Sequence, residues 1–182
     1  VLDLCAAPGG KATAAGAALQ GQGLLVANDI STSRARALLR NLELFGIPNV
    51  FVANETPAKL TKAFPEFFDK IILDAPCSGE GMFRKEEALA KDWTPEKSME
   101  LSEIQKELIL QAADMLRPGG LLLYSTCTFA PEEDEGTISY LLEQREDMEL
   151  LELPAYEGFS PGNPLWGKRF PGITEVCPDL AS

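Results

Sequence analysis

The sequence contains no histidine, and its four cysteines (Cys5, Cys77, Cys127 and Cys177) form no C-x-x-C pair. Protein zinc sites are built from closely spaced cysteines and histidines, so we expect this protein to hold no metal. No apolar stretch approaches the roughly 20 residues that a membrane-spanning helix needs, and the first residues do not form a basic and then apolar leader. We therefore expect neither membrane insertion nor secretion, a cytoplasmic location and reduced thiols.

Basic side chains are also scarce: 16 lysines and arginines stand against 28 aspartates and glutamates, a net charge of −12. An acidic protein is poorly suited to hold a phosphate backbone by bulk charge, so composition alone argues against nucleic acid as the partner. The acids are unevenly spread, because 12 of the 28 follow residue 130, whereas residues 1–60 carry five basic and four acidic side chains. The first part of the chain is therefore almost neutral.

The length of 182 residues, of which 45% are hydrophobic and 24% charged, fits one ordinary globular domain. Because the chain opens on Val1 inside an apolar run, we expect it to be a piece of a longer protein. Five short and mostly apolar segments predict the strands of a sheet that is covered on both faces. They are Val1–Cys5, Leu24–Asn28, Val50–Ala53, Lys70–Leu73 and Leu121–Ser125.

Apolar residues at helical spacing lie between these strands. One helix is predicted after the cap Ser31-Thr32-Ser33, a second from Thr94-Pro95 to the breaker Arg117–Gly120, and a third from Pro131, where four carboxylates follow. Met148–Leu153 predicts a later strand. The alternation of strands and helices predicts an α/β fold with a doubly wound, mostly parallel sheet, which binds ligands at the carboxyl ends of its strands.

The turn after the first predicted strand, Cys5-Ala6-Ala7-Pro8-Gly9-Gly10-Lys11, consists largely of small residues. It is neither a dinucleotide fingerprint nor a P-loop, but small residues let a ligand approach the backbone at the start of a helix. Asp29 lies nineteen residues after Gly10, where doubly wound nucleotide binders place the acid that binds ribose hydroxyls. Together these features suggest a nucleoside-bearing ligand. Taken singly, the loop also suits a tight packing turn, and Asp29 a helix cap.

Two cysteines follow the ends of the fourth and fifth predicted strands, in Asp74-Ala75-Pro76-Cys77-Ser78-Gly79 and in Ser125-Thr126-Cys127-Thr128. If these strands are neighbours, their spacing of ~4.8 Å places two thiols and the Asp74 carboxylate along one sheet edge. Each cysteine alone is more simply explained as a buried structural thiol. A pair at equivalent positions favours a chemical role.

Three segments, Asp3–Lys11, Asp74–Gly79 and Ser125–Phe129, resemble the signature blocks of the Nol/Nop/Sun family of RNA cytosine-5 methyltransferases. Their order and spacing match over roughly residues 1–165. The likeness is greatest to bacterial 16S ribosomal RNA methyltransferases of the RsmF kind. The resemblance implies the Rossmann-like fold of S-adenosylmethionine-dependent methyltransferases, S-adenosylmethionine as methyl donor, and a cytosine in RNA, either ribosomal RNA or the small ribosomal subunit, as target.

By position, the resemblance also implies the roles of individual residues. The cofactor-binding positions are Cys5, Ala6, Ala7, Pro8, Gly9, Gly10, Lys11, Asp29, Arg34 and Asp74. Cys127 would be the nucleophile that adds to carbon 6 of cytosine, and Cys77 would help to remove the proton from carbon 5. Asp74 would hold ring nitrogen 3 in its protonated form, and Lys11 would orient or polarise the pair.

The chain departs from the family pattern at two places. The position at which the family has an acid after the third strand falls by count at Thr56, beside Glu55, so the resemblance does not identify the adenine contact. The usual Pro-His pair of the family reads Pro178-Asp179. We expect residues 1–182 to be one catalytic core with an irregular segment at 158–178. The closing strand and the RNA-binding modules would lie outside it.

Two alternatives keep the same fold: a methyltransferase of DNA or of a small molecule, and a non-catalytic RNA-binding or assembly module. The Thr126-Cys127 pair counts against DNA enzymes, which use the Pro-Cys thiol as nucleophile. Arg84-Lys85 and Lys168-Arg169 suit phosphate contacts as well as solvated charges. Trp93 and Trp166 suit base stacking, although packing is the simpler explanation.

Overall fold

The computed structural model describes residues 1–151 and 157–158. The chain divides into two compact units. The first comprises Val1–Pro76 and Glu107–Ser125 and contains the sheet, and the second comprises Cys77–Lys106 and the described chain from Thr126 onward. Within the described residues, no helix is long and apolar enough to cross a membrane.

A five-stranded parallel sheet of order β3-β2-β1-β4-β5 forms the first unit. Its strands are β1 (Leu2–Asp3), β2 (Leu25–Asn28), β3 (Val50–Ala53), β4 (Phe68–Asp74) and β5 (Leu116–Ser125). The chain winds outward from β1 to β3 and then crosses to β4 on the other side of β1, so the direction of winding reverses at β1. Loops diverge at such a point and leave a crevice for ligands. The predicted doubly wound sheet is confirmed, and every strand pair in it is parallel.

Burial along each strand follows the position of the strand in the sheet. All residues of the central strands β1 and β2 are buried, as expected for strands covered on both faces. The edge strands β3 and β5 are more open, and Phe51, Leu121 and Leu123 are each about half exposed. The continuous apolar runs of the sequence therefore mark the middle of the sheet most faithfully.

Helices α1 (Gly10–Leu19), α2 (Thr32–Leu44) and α3 (Pro57–Ala63) connect the strands of the first unit. α1 is made mostly of alanine and glycine, and a side chain at Gly16 would collide with Ile47, which shows how closely this helix packs. α2 buries an apolar face, as its spacing predicts.

The remaining elements are a short 3₁₀ turn (Glu80–Met82), α4 (Glu87–Asp92), α5 (Pro95–Met115) and α6 (Glu135–Gln144). α5 begins where the sequence predicts, because the Thr94 hydroxyl accepts the Lys97 backbone N–H at 3.2 Å and Pro95 occupies the first helical position. The last residue of α5 passes directly into β5.

All five predicted strands are present, although their bounds differ. β5 starts at Leu116, which pairs with Phe68, whereas Leu121 pairs with Lys70. The intervening Arg117–Gly120 therefore form an irregularity in the β4–β5 ladder, where the sequence indicated only the end of a helix.

Two predictions of secondary structure were wrong. α6 begins at Glu135 rather than at Pro131, because the preceding residues form turns in which the Glu133 side chain is buried. Met148–Leu151 form no strand, and the Met148 backbone N–H instead closes a turn onto the Arg145 carbonyl at 3.1 Å. The rest of that predicted strand, and nearly all of the predicted irregular segment at 158–178, lie outside the described residues.

Candidate active site

The loop that joins β1 to α1 is fixed by the neighbouring strand and by α2. The Ala6 N–H bonds to the Asn28 carbonyl at 2.8 Å, Arg34 donates to the Ala7 carbonyl at 2.8 Å, and Asn41 donates to the Pro8 carbonyl at 2.7 Å. Gly9 ends the loop at φ +117°, a conformation that L side chains rarely adopt. A β-carbon added at Gly10 would meet nothing within 4 Å, so the start of α1 borders open space.

Lys11 and Asp74 form an ion pair at this edge of the first unit. Lys11 Nζ lies 2.7 Å from Asp74 Oδ2, and the Ser125 hydroxyl donates to Asp74 Oδ1 at 2.8 Å. Both side chains are more than a third exposed. Both contacts are of the kind that a carboxylate accepts.

Asp29, the predicted ribose-binding acid, is only 3% exposed. Its Oδ1 accepts the Ser31 backbone N–H at 2.9 Å, and its Oδ2 lies 3.3 Å from Arg34. Ser31 directly precedes α2, so Asp29 shapes the entry to that helix, which is the simpler of the two roles that the sequence allowed. A ribose contact by Asp29 remains a prediction.

Asp3 and Cys5 lie deeper in the first unit, and their surroundings disfavour negative charge. Burial, together with the Asp74 carboxylate, raises the pKa of Asp3 to about 7, although Lys11 opposes this effect. Burial and the carboxylates of Asp29 and Asp3 raise the pKa of Cys5 to about 12, so this residue is a neutral thiol. Cys5 therefore suits the wall of a site and not a nucleophile.

Cys77 and Cys127 meet within the second unit, as their positions after neighbouring strands predict. Their sulfur atoms are 3.1 Å apart, and the Cys127 backbone N–H lies 3.2 Å from Cys77 Sγ. Cys127 is exposed and Cys77 is partly buried. Burial and the hydrogen bond that the thiol shares with Cys127 raise the pKa of Cys77 to about 12. The pair thus combines an accessible thiol with a less accessible one that holds its proton tightly.

Hydrogen bonds next to the two thiols join their loops to each other. The Ser78 and Thr128 hydroxyls, each directly after a cysteine, are 2.8 Å apart and buried. The Gly81 N–H donates to the Cys127 carbonyl at 2.9 Å, and Glu80 accepts the Phe129 N–H at 3.0 Å. These contacts hold the backbone of Cys127 and the two residues after it against the loop that carries Cys77.

Glu133 is fully buried beneath these loops. Its carboxylate accepts the Ser78 backbone N–H at 3.0 Å, the Ser98 hydroxyl at 2.8 Å and the Gln105 side-chain amide at 2.7 Å. Sequence reasoning missed this residue, because it stands in a run of four acids that was assigned as a whole to a helix start. The signal that could have singled it out is its place six residues after Cys127.

The other predicted positions are less informative. Arg84 and Lys85 are exposed, which suits phosphate contacts and solvated charges equally. Glu55 pairs with Lys59 at 2.8 Å, which lowers the pKa of Glu55, and Thr56 precedes α3. Trp93 packs edge-on against Phe83, with ring centroids 6.5 Å apart. Cys177, Trp166, Lys168-Arg169 and Pro178-Asp179 lie outside the described residues, within which no cluster of metal-ligating side chains occurs.

A parallel sheet of this order, with a small-residue loop after β1 and an acid after β2, defines the Rossmann-like class of nucleoside-binding α/β proteins. Within that class, the family described as 16S rRNA methyltransferase RsmB/F matches residues 1–174. The chain belongs to this family, which confirms the resemblance inferred from the three sequence segments.

Individual relatives agree with this assignment. The ribosomal RNA small subunit methyltransferase F of Escherichia coli O9:H4 (strain HS) is 44% identical over 180 residues, which cover 99% of this chain and 37% of that protein. The structure of NSun6 from Pyrococcus horikoshii with SFG is similar, with a TM-score of 0.72, 35% identity and coverage of 79% of this chain and 36% of that one. A methyltransferase homolog from the same organism gives a TM-score of 0.75 and 32% identity, covering 90% and 49%. The chain spans roughly a third of the length of the curated relatives.

Proposed function

We propose that this chain is the catalytic part of an enzyme that transfers a methyl group from S-adenosylmethionine to carbon 5 of a cytosine in 16S ribosomal RNA. The observation that carries the proposal is the contact of 3.1 Å between the sulfurs of Cys77 and Cys127. A transfer to carbon 5 needs two such groups, because one must add to the ring and another must take the displaced proton. The substrate follows from the family and from the name of the Escherichia coli relative.

The residues of the first unit fit a nucleoside-bearing methyl donor. Open space borders Gly10 at the start of α1, and Asp29 stands at the end of β2. NSun6 from Pyrococcus horikoshii was solved with SFG, an analogue of S-adenosylmethionine. When bound, S-adenosylmethionine supplies a methyl group on a sulfonium, which is already activated for transfer. The loop Cys5–Lys11, Asp29, Arg34 and Asp74 are the residues that we propose to hold it.

Cys127 is the proposed nucleophile. Carbon 5 of cytosine is a weak nucleophile until a thiolate adds to carbon 6, which makes carbon 5 electron-rich. Cys127 is the more exposed of the two thiols, and a base that leaves its stack reaches it more easily. The Cys127 thiol first gives its proton to solvent; as the thiolate Sγ then bonds to carbon 6, ring nitrogen 3 takes up one proton.

Lys11 and Asp74 are proposed to supply that proton. Lys11 Nζ, which carries transferable protons, lies 2.7 Å from Asp74 Oδ2. Lys11 is the proposed source of one proton, and Asp74 is the proposed relay of that proton to nitrogen 3. Carbon 5 then forms a bond to the transferred methyl carbon, and the bond between that carbon and the sulfonium sulfur breaks with its electrons left on sulfur.

Cys77 is the proposed base of the last step. Its pKa is raised to about 12 by burial first and then by Cys127, through a hydrogen bond and through charge. The contribution of Cys127 disappears once Cys127 is bonded to carbon 6, while the Cys127 backbone N–H at 3.2 Å still favours a Cys77 thiolate. Once the adduct has formed, Cys77 gives its thiol proton to solvent and then accepts the carbon 5 proton, so that it ends the step as a thiol again. The carbon 5–carbon 6 double bond re-forms, Cys127 leaves, and nitrogen 3 returns its proton.

The test uses the protein in its full natural length, with labelled S-adenosylmethionine and either 16S ribosomal RNA or small ribosomal subunits. We expect the wild type to form 5-methylcytosine, measured by mass spectrometry of the digested RNA. Cys127→Ala should abolish the product. Cys77→Ala should accumulate a covalent RNA–protein adduct, visible as a band of reduced mobility on a denaturing gel.

The matched control is the double variant Cys77→Ala/Cys127→Ala, which should form no adduct. Normal turnover by Cys77→Ala without an adduct would make the assignment of the two thiols wrong. Methylation of DNA or of a small molecule, with no methylation of RNA, would show that the proposed RNA substrate is wrong. Retained S-adenosylmethionine binding without methylation of any substrate would favour a non-catalytic module.

A further inference from the structure

We propose that Glu133 is a positioning residue that holds the two thiols at the spacing that the two successive steps of the reaction require. This inference rests on the proposed function. Glu133 acts through the backbone of Ser78, the residue that directly follows Cys77.

The buried carboxylate holds Ser78 from several directions. Both of its oxygens accept the Ser78 backbone N–H, at 3.0 and 3.3 Å. Two side chains of α5 hold the carboxylate in turn: the Ser98 hydroxyl donates at 2.8 Å and the Gln105 amide at 2.7 Å. The Gln105 amide oxygen accepts from Thr137 at 3.4 Å, which connects α5 to α6. Charge-assisted hydrogen bonds of this kind, in a buried site, leave little freedom of position.

Ser78 in turn restrains Cys127 through Thr128, the residue that directly follows Cys127. The hydroxyl of Ser78 contacts the hydroxyl of Thr128 at 2.8 Å, and both residues are buried. Glu133 therefore holds the backbone that follows one thiol, and that backbone holds the residue that follows the other. The separation of 3.1 Å between the sulfurs is the consequence of this chain of contacts.

The chemical reason for such a device is that the thiols act one after the other on adjacent ring atoms. Addition by Cys127 needs one sulfur at carbon 6, whereas release needs Cys77 within reach of the proton on carbon 5. An error of about 1 Å in a reacting group can reduce a rate by about 100-fold. Loosening the pair should harm release more than addition, because Cys77 must reach a proton on a ring that Cys127 already holds.

The experiment compares Glu133→Gln with Glu132→Gln in the full-length enzyme. Glu132 is a matched control, because it accepts from the same Ser98 hydroxyl at 2.9 Å but belongs to no contact with Ser78 described above. We expect Glu133→Gln to lower kcat by about 10- to 100-fold with KM for S-adenosylmethionine within about twofold. It should also accumulate the covalent RNA adduct although Cys77 is present. Glu132→Gln should stay within about twofold of wild type in every quantity.

A merely structural role would lower the melting temperature and the active fraction without an adduct, and that result would overturn the proposal. Unchanged kcat in a folded Glu133→Gln variant would overturn it as well. If this variant does not fold, Thr128→Val is the second test, since it removes the hydroxyl that contacts Ser78 at 2.8 Å, together with the longer contacts of that hydroxyl to Glu80 and to the Ala130 N–H, both at 3.3 Å. Slow turnover with adduct supports the proposal, and normal turnover without adduct contradicts it.

A second readout separates this inference from the proposed function. Phenylarsine oxide binds two neighbouring thiols together, so its affinity reports their spacing without any methylation. We expect about 10-fold weaker binding to Glu133→Gln than to wild type, with Cys77→Ser as the control that abolishes paired binding. If the wild type fails to methylate cytosine but the arsenical result holds, the proposed reaction fails and the positioning role stands. Equal arsenical binding by wild type and Glu133→Gln contradicts the positioning role.

Discussion

Asp3 in the first unit and Glu133 in the second are both fully buried carboxyl groups, yet the number of hydrogen-bond donors around them differs. Glu133 is surrounded by donors, which include a backbone N–H, a hydroxyl and a side-chain amide. Neither oxygen of Asp3 makes a well-formed hydrogen bond within the described residues, and burial and the Asp74 carboxylate raise the pKa of Asp3 to about 7. A buried carboxylate is tolerated either by replacing its water with protein donors or by keeping its proton.

The difference teaches that burial alone says little about what a carboxylate does. Glu133 organises the loops around it, so its removal takes a shared acceptor away from three donors. Asp3 lies in the central strand β1, in register with Ala27 and Ile72, and contributes an unfavourable charge whenever it ionises. Three substitutions can break or sharpen this contrast, and the largest effect is expected at Glu133.

Glu133→Ala should destabilise the protein by about 3 kcal/mol, because the buried Ser78 N–H and the Gln105 side-chain amide lose the carboxylate that accepts from them, and Ser98 keeps only its contact with Glu132. The measurement is the free energy of unfolding from urea denaturation, followed by circular dichroism. Glu132→Ala serves as the control, with an expected loss below about 1 kcal/mol, since Glu132 is partly exposed. Equal losses in both variants would mean that Glu133 is not the organising acid of the second unit.

Asp3→Asn, in contrast to Glu133→Ala, should increase the free energy of unfolding at pH 8. Because the pKa of Asp3 is raised from 3.8 to about 7 in the folded state, the native protein holds a proton that the unfolded chain releases. Stability of the wild type should therefore fall as pH rises from about 4 to about 7, by at most about 1.4 kcal/mol per pH unit from this group. Asp3→Asn lacks this loss and should match wild type near pH 4 but exceed it by about 1–3 kcal/mol at pH 8.

The measurement for Asp3 is the difference in melting temperature between variant and wild type across that pH range. Taking the difference cancels other titrating groups, among them Asp134, whose pKa burial raises to about 6. A difference that does not change between pH 4 and pH 8 would show that Asp3 does not titrate near neutral pH.

The smallest effect is expected at an exposed ion pair. Arg117 and Asp69 approach to 2.6 Å, but both side chains are more than half exposed. Arg117→Gln should change the free energy of unfolding by about 0.5 kcal/mol or less, because solvent screens the pair. A larger loss in chemical denaturation would imply that the bulge at Arg117–Gly120 depends on this contact.

Much of the first unit could be predicted from the sequence, because its strands are continuous apolar runs and its ligand-facing loops must follow strand ends. The meeting of Cys77 with Cys127 follows from that rule once β4 and β5 are neighbours, but the order of the strands in the sheet was not predicted. The start of α6 could not be predicted in the same way. Four consecutive acids after Pro131 suit a helix start by charge alone, and only contacts with Ser98 and Gln105, some 30 residues earlier in the chain, select Glu133 for the interior.

The irregular start of β5 illustrates the same limit at the level of the backbone. Arg117-Pro118-Gly119-Gly120 has the residues that end a helix, and it does end α5. That Leu116 nevertheless pairs with Phe68 depends on the length of β4, which local sequence does not encode. Local chemistry therefore predicted the break correctly and missed the strand that begins before it.

Gly81 carries no functional group, yet it limits which sequences can hold this thiol pair. Its N–H binds the Cys127 carbonyl, and a β-carbon at this position would lie 2.9 Å from the same oxygen. Any side chain here would push the backbone of Cys127 away from the turn that carries Cys77. Moving the two cysteines onto another sheet would therefore require moving this glycine with them, because the close approach of the two loops depends on the absence of a β-carbon at this position.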